Sequence, residues 1–315
     1  MRGERLRGYG LALVSASLWA TLGLIYHQLE VYGLTRLAIA FYRAAVTAVI
    51  LFAFLGATRR PTLKVERGDW RLFLTLGLVG VAAFFGIYIQ AIALVGMGVA
   101  AVLMYTAPAW VTLISSLFLG ERLTPLKVAA LLLACGGCAL VGKVYDLASV
   151  RLNLLGILAG LGAGLTYGMY TILSKVAQSR YTAWASLAYA MAFGTLFLLP
   201  LQAGADLALP LRSPPAIAWL LVLGIVPTLI AGLTFNAALR LVPASEVSIV
   251  ATLEPVIAAI LGALFLGERV EPLQALGALL ILSAVAALQW ARSRPGGKPA
   301  DSSKTGTGGG KPPLQ

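Results

Sequence analysis

Leu117-Phe118-Leu119-Gly120-Glu121-Arg122 returns as Leu264-Phe265-Leu266-Gly267-Glu268-Arg269, 147 residues further on. Pro108 and Pro255 keep the same offset, as do Pro125 and Pro272. Both copies lie among long apolar runs. An internal repeat in such a setting means that two sets of membrane helices share one polypeptide.

Composition agrees. Of 315 residues, 59% are hydrophobic and 11% charged, and the mean hydropathy is +0.89. A soluble domain keeps about a quarter of its residues charged, so this chain lacks the polar surface to face water on all sides. The net charge of +12 invites a nucleic-acid reading, which fails. The basic residues lie in short loops and tails between apolar segments, where they orient a membrane protein, and no aromatic-basic patch accompanies them.

A bilayer core of roughly 30 Å takes about 20 helical residues to cross. Ten segments qualify, at 8–27, 34–56, 71–94, 98–119, 125–142, 153–177, 183–203, 216–241, 245–266 and 272–290, the fifth being the shortest. Arg2, Arg5 and Arg7 before the first run resemble a signal peptide. No small-residue cleavage site follows, and the run reads as a retained span. The tail 291–315 is rich in Gly, Pro, Ser and Lys and is expected to be a disordered cytoplasmic extension.

With the N-terminus inside, eighteen of the 24 Lys and Arg fall in inside segments and five in outside ones, leaving Arg43 within a segment. Both termini are therefore expected in the cytoplasm. Each half, 1–142 and 153–290, holds five segments. An odd number inserts the second half upside down, so the fold class expected is all-α, ten transmembrane helices in two inverted five-helix repeats. Tyr42 with Tyr189, Tyr88 with Phe235 and Leu94 with Leu241 extend the repeat at the same offset, and Trp19 falls one residue off Tyr167. Inverted repeats suit alternating access, because two near-equivalent packings can exchange roles.

Pro108 followed by Leu-Phe-Leu-Gly-Glu121, Glu254-Pro255 followed by Leu-Phe-Leu-Gly-Glu268, and Phe41-Tyr42-Arg43 in the second segment together resemble the EamA-type carriers of the drug/metabolite transporter superfamily. The resemblance covers roughly residues 8–290. It implies an inner-membrane exporter of amino acids or related metabolites, some relatives carrying sugars, nucleotide sugars or lipophilic amines.

Arg43 sits about nine residues into its segment. A charge at that depth costs about 3 kcal/mol on insertion scales, so it needs a partner or a watery cavity. It is either an anion site, its fork holding a carboxylate, or half of a structural ion pair. Glu254 lies equally deep in the ninth segment. Pro255 after it frees a carbonyl one turn earlier, and a broken helix with an acid at the break suits an ammonium group or a proton. The alternative is that Glu254 only neutralises Arg43. Trp19, Tyr42, Tyr88, Gln90, Tyr105, Tyr167, Tyr170 and Asn236 complete the mid-depth polar and aromatic set. Trp19, Tyr42, Tyr105, Tyr167 and Asn236 are candidate walls of a substrate cavity, and helix-packing filler is the other reading of each.

Glu121 and Glu268 close the fourth and ninth segments beside Arg122 and Arg269. Corner-forming salt bridges and gating are the two readings of these acids and of the paired Pro108 and Pro255. Glu246 reads as a first-turn acid favoured by its helix dipole. Gly156, Gly160, Gly164 and Gly168 recur every fourth residue, a spacing that lets another helix approach closely. Cys135 and Cys138 flank a Gly-Gly notch in an apolar helix with no further ligands, which is packing rather than redox or zinc chemistry. His27, the single histidine, cannot build the usual metal site. No metal or cofactor is expected. There is no Walker A, HExxH or GxSxG motif, and no interior loop is long enough to hold a catalytic domain.

The expected function is export of an amino acid or similar zwitterion, driven by proton coupling or by exchange. Efflux of lipophilic cations comes next, then carriage of sugars or nucleotide conjugates. A lipid-modifying membrane enzyme is a different class, and the scarcity of acids and histidines opposes it. A channel would pass solute without saturation or counterflow. The sequence does not speak to oligomeric state.

Overall fold

The computed structural model describes residues 2–146, 153–265, 267 and 270–293. Glu268, Arg269 and the tail 294–315, on which expectations were placed, lie outside the described residues. Helices make up the described residues, with no strand among them. Lipid offers a backbone no hydrogen bonds, so an apolar run of this length must close its own ladder.

Nine helical segments among the described residues are long and apolar enough to cross a bilayer. They are α1 (Gly3–Val31), α2 (Arg36–Thr58), α3 (Arg67–Val95), α4 (Met97–Phe118), α6 (Leu154–Ala177), α7 (Ala183–Gln202), α8 (Pro214–Leu241), α9 (Ala244–Phe265) and the apolar part of α10 (Pro272–Ser293). The tenth expected segment is the shorter apolar helix α5 (Pro125–Val141). Thr35, Thr124, Asn153 and Thr182 cap the N-termini of α2, α5, α6 and α7 by accepting from the amide three residues on, which fixes where each begins.

α1 runs from before the expected 8 to beyond the expected 27. Its ends carry Arg, Glu, His and Gln, residues that extend a helix without adding hydropathy. Several helices are interrupted. α1 breaks at Ala20–Thr21, α4 at Tyr105–Thr106 and α9 at Thr252. The last two breaks fall three residues or fewer before Pro108 and Pro255. A proline in a helix removes one amide and its ring crowds the carbonyl four residues back. α3 and α8 instead contain one π-turn each, Leu78–Ala83 and Ile225–Ile230. These turns lie 147 residues apart.

Close approaches follow the same spacing. A Cβ on Gly77 would meet Phe193 and the backbone of Gly194, and one on Gly224 would meet Val46 and the backbone of Thr47. Adding 147 to Val46 and Thr47 gives Phe193 and Gly194. Likewise Gly8 abuts Leu241 and Val242, and Gly156 abuts Leu94 and Val95. Gly120 and Gly267, at the corner of each hexapeptide, have φ of +66° and +68°, a conformation glycine adopts without steric cost.

The glycine edge of α6 receives α3 and α4. Gly160 lies against Leu103, Gly164 against the Leu103 and Met104 carbonyls, and Gly168 against Trp110. In the Cys135-Gly136-Gly137-Cys138 notch it is Gly137 that makes the contact. A Cβ there would stand 2.6 Å from the Gly277 carbonyl oxygen of α10, whereas one on Gly136 would meet nothing. Both cysteines are free thiols.

Candidate functional site

The breaks in α4 and α9 and the π-turn in α8 bring their polar residues to one level of the interior. Arg43 of α2 donates from Nε to Thr228 Oγ1 at 3.0 Å, and its guanidinium carbon stands 5.1 Å from the centre of the Phe85 ring. Thr228 donates in turn to the Leu223 carbonyl at 2.7 Å. That bond reaches five residues back because α8 is wound as a π-turn there. The Tyr26 hydroxyl stands against the same guanidinium. One edge and one face of Arg43 are thus held by protein, which fixes the direction of the remaining fork.

Glu254 is the second residue of the half-helix that starts at Leu253. The Tyr105 hydroxyl lies beside its carboxylate, and Arg43 acts on it electrostatically. Among the described residues the two charges form no direct ion pair. Both lie deep among the helices and yet are only half buried. Tyr26, Tyr88 and Tyr167 share that condition, so space is left between them. The result is a chamber with a cation on one wall and an anion on another.

The remaining walls are aromatic. Phe84 stacks on Tyr88 at 5.9 Å and on Tyr167 at 5.3 Å. Trp19 meets the edge of Tyr167 at 6.1 Å and Phe235 at 5.0 Å. Such a surface accepts an apolar side chain and, through its ring faces, a cation.

Of the residues singled out from sequence, Arg43, Glu254, Trp19, Tyr105 and Tyr167 converge on this chamber. Tyr42 does not point into it. Its hydroxyl donates to the Leu207 carbonyl of the α7–α8 loop and its ring packs on Phe41. Asn236 lies at the chamber's edge with both ends of its amide engaged, Nδ2 donating to the Gly232 carbonyl at 2.8 Å and Oδ1 accepting from Gln178 at 3.0 Å. Gln90 and His27 are exposed. Glu121 meets Lys127 and the start of α9 rather than Arg122, which is exposed. Glu246 is fully buried and accepts from Tyr9, so it is more than a dipole-favoured acid. Glu268 lies outside the described residues.

Tyr26 and Thr228 escaped the sequence reading. Tyr26 stood at the end of an apolar run that the helix in fact overruns. Thr228 reaches Arg43 through a π-turn, and a π-turn has no residue signature of its own.

A model of the EamA-like transporter family matches this chain twice, over residues 6–143 and 154–289. The chain belongs to the EamA-like transporter family. It is 29% identical over 287 residues to an uncharacterized transporter of Archaeoglobus fulgidus, covering 89% of this chain and 96% of that one. It is 27% identical to a probable terminal-alkyne amino-acid exporter of Streptantibioticus cattleyicolor, covering 82% and 84%. It is 32% identical to the chloramphenicol-sensitive protein RarD of Pseudomonas aeruginosa, covering 86% and 90%. A solved structure at 18% identity superposes with a TM-score of 0.77 over 90% of this chain and 96% of that one, a likeness of fold. The protein is a multi-pass membrane protein of a transporter family, and the family and relatives are named for transport rather than for catalysis.

Proposed function

We propose that this transporter is a secondary carrier that exports amino acids or related small zwitterions across the plasma membrane by alternating access. The observation that carries the reading is the separation of Arg43 from Glu254. Two opposite charges at membrane depth that do not neutralise each other directly leave room for a ligand with one charge of each sign. The Arg43 fork suits a carboxylate, Glu254 suits an ammonium group, and the aromatic walls suit an apolar side chain. The relative named as an amino-acid exporter supports the same substrate class.

The cycle needs two faces that open in turn. The reading is two five-helix halves, α1–α5 and α6–α10, inserted in opposite directions, with both termini cytoplasmic and the chamber between them. The exchanged contacts of Gly77 with Phe193 and Gly194, and of Gly224 with Val46 and Thr47, support it, because a two-fold axis between the halves carries each contact into the other. Glu254 is the residue proposed to carry a coupling proton. A second reading, efflux of lipophilic cations, uses Glu254 and the aromatic wall without Arg43.

Counterflow of radiolabelled amino acids in proteoliposomes tests this. Saturable counterflow of at least one zwitterion is expected, and Arg43→Ala, still folded, abolishes it. Unchanged kinetics in that variant would remove Arg43 from the site and leave the cation reading.

A further inference from the structure

We propose that Glu121, Lys127, Lys175, Ser245 and Glu246 form a latch that holds the Glu121 face shut and gives the carrier a resting preference for opening at the other face. The inference rests on the transport reading above and adds the direction in which its cycle is biased.

The latch grips the turn at Val242–Pro243 between α8 and α9. The end of α8 leaves backbone carbonyls without helical partners. Lys175 of α6 supplies them, its ammonium donating to the carbonyls of Leu239 and, at 3.0 Å, Val242. The start of α9 leaves amides, and Glu121 from the α4–α5 corner accepts from the Ala244 amide at 2.6 Å and from the Ser245 hydroxyl. A cation therefore sits at the negative end of one helix dipole and an anion at the positive end of the next.

Lys127 of α5 ties the parts together. Its ammonium is 3.3 Å from Glu121, 2.9 Å from Ser245 Oγ and 3.9 Å from Glu246, whose carboxylate also accepts from the Tyr9 hydroxyl of α1. The Lys127, Glu121 and Glu246 side chains are only 5%, 11% and 0% exposed. Side chains from α1, the α4–α5 corner, α5 and α6 thus converge on one turn of the second half.

The opposite face cannot build the same device. At the repeat offset Lys127 corresponds to Gln274, Ser245 to Gly98 and Glu246 to Val99. At the offset of 148 that relates α1 to α6, through Gly8 and Gly156, Lys175 corresponds to His27 and Tyr9 to Ile157. His27 is exposed. Gln274 donates to the Val141 carbonyl at 3.0 Å, a neutral bond where Lys127 makes charged ones. Hydrogen bonds to charged groups are stronger than neutral ones, and separating a buried pair strands its members. Opening the Glu121 face therefore costs more than opening its counterpart.

Side-specific thiol labelling tests the latch without any substrate. The reporter is Tyr88→Cys on the chamber wall, in a chain carrying Cys135→Ala and Cys138→Ala, reconstituted in vesicles and treated with a membrane-impermeant thiol reagent from each side. The reporter is expected to react from the face opposite Glu121 and to be protected from the Glu121 face. Glu121→Gln and, independently, Ser245→Ala raise labelling from the Glu121 face by about tenfold, the weight of one charge-assisted hydrogen bond. Lys127→Arg keeps the protection, and Gln274→Ala leaves it unchanged. Equal labelling from both faces in the parent overturns the latch. So does an unchanged rate in Ser245→Ala, the variant that decides if Glu121→Gln fails to fold. Because no transported solute is present, loss of counterflow alongside intact one-sided labelling would count against the transport reading and not against the latch.

Discussion

Arg43 depends on a helix defect for its placement. Its Nε bond goes to Thr228, and Thr228 is aimed by the π-turn of α8. Thr228→Val keeps the shape and removes the acceptor, so a looser fork should raise the KM for a zwitterion by several-fold with little change in kcat. Arg43→Lys keeps the charge but loses the planar fork and should cost about tenfold or more in apparent affinity. Counterflow KM values check both, and a KM for Arg43→Lys equal to wild type would show that only charge matters. Glu254→Gln should alter the pH profile of transport, whereas a profile superimposable on the wild type would exclude Glu254 as the coupling group. The two charges stood out in the sequence because charge at that depth is rare. Thr228 and Tyr26 did not, since an isolated threonine or tyrosine in an apolar run carries no such signal until the helix geometry is known.

Helix contacts set the next level. α5 and α10 meet through Gly137 and Gly277, where a Cβ on either would press on the other's carbonyl oxygen. Gly137→Ala should therefore lower stability by about 1–3 kcal/mol, as overpacking does, while Gly136→Ala next to it should be neutral. Thermal unfolding in detergent compares the pair, and equal midpoints would contradict the contact. At the α4–α5 corner, burial alone would raise the Glu121 carboxyl, but Ser245, the Lys127 charge and the Ala244 amide outweigh it and hold it below the usual glutamate range. A carboxyl lowered in the folded state adds stability above its unfolded pKa and loses it as the pH falls through the lowered value. Facing Lys127, Lys175 and Glu246, this group should keep its share of the closure undiminished from pH 7 down to about the ordinary glutamate value of 4.3. One-sided labelling that collapses by pH 6 in wild type but not in Glu121→Gln would contradict that. Segment positions were legible from apolar runs and glycine spacing. The breaks were legible only near prolines, because π-turns and the α1 interruption arise from packing rather than from any one residue.

Across the whole molecule, duplication was the most legible feature, because a hexapeptide and four prolines kept one offset. The twofold family match and the exchanged glycine contacts agree with that spacing. What sequence could not give was the division of labour. Arg43 corresponds to Ala190 and Glu254 to Ala107, so each half contributes one charge to a chamber that neither could form alone. Such complementarity appears only when helices from both halves are set beside each other. The central claim is that the halves cross the membrane in opposite directions. It is tested most directly by placing single cysteines at the exposed positions Leu123 and Val270, one after each hexapeptide, and labelling intact cells and inverted vesicles with an impermeant thiol reagent. The account predicts Leu123→Cys labelled from the cytoplasmic side and Val270→Cys from the outside, and labelling of both from one side would contradict it.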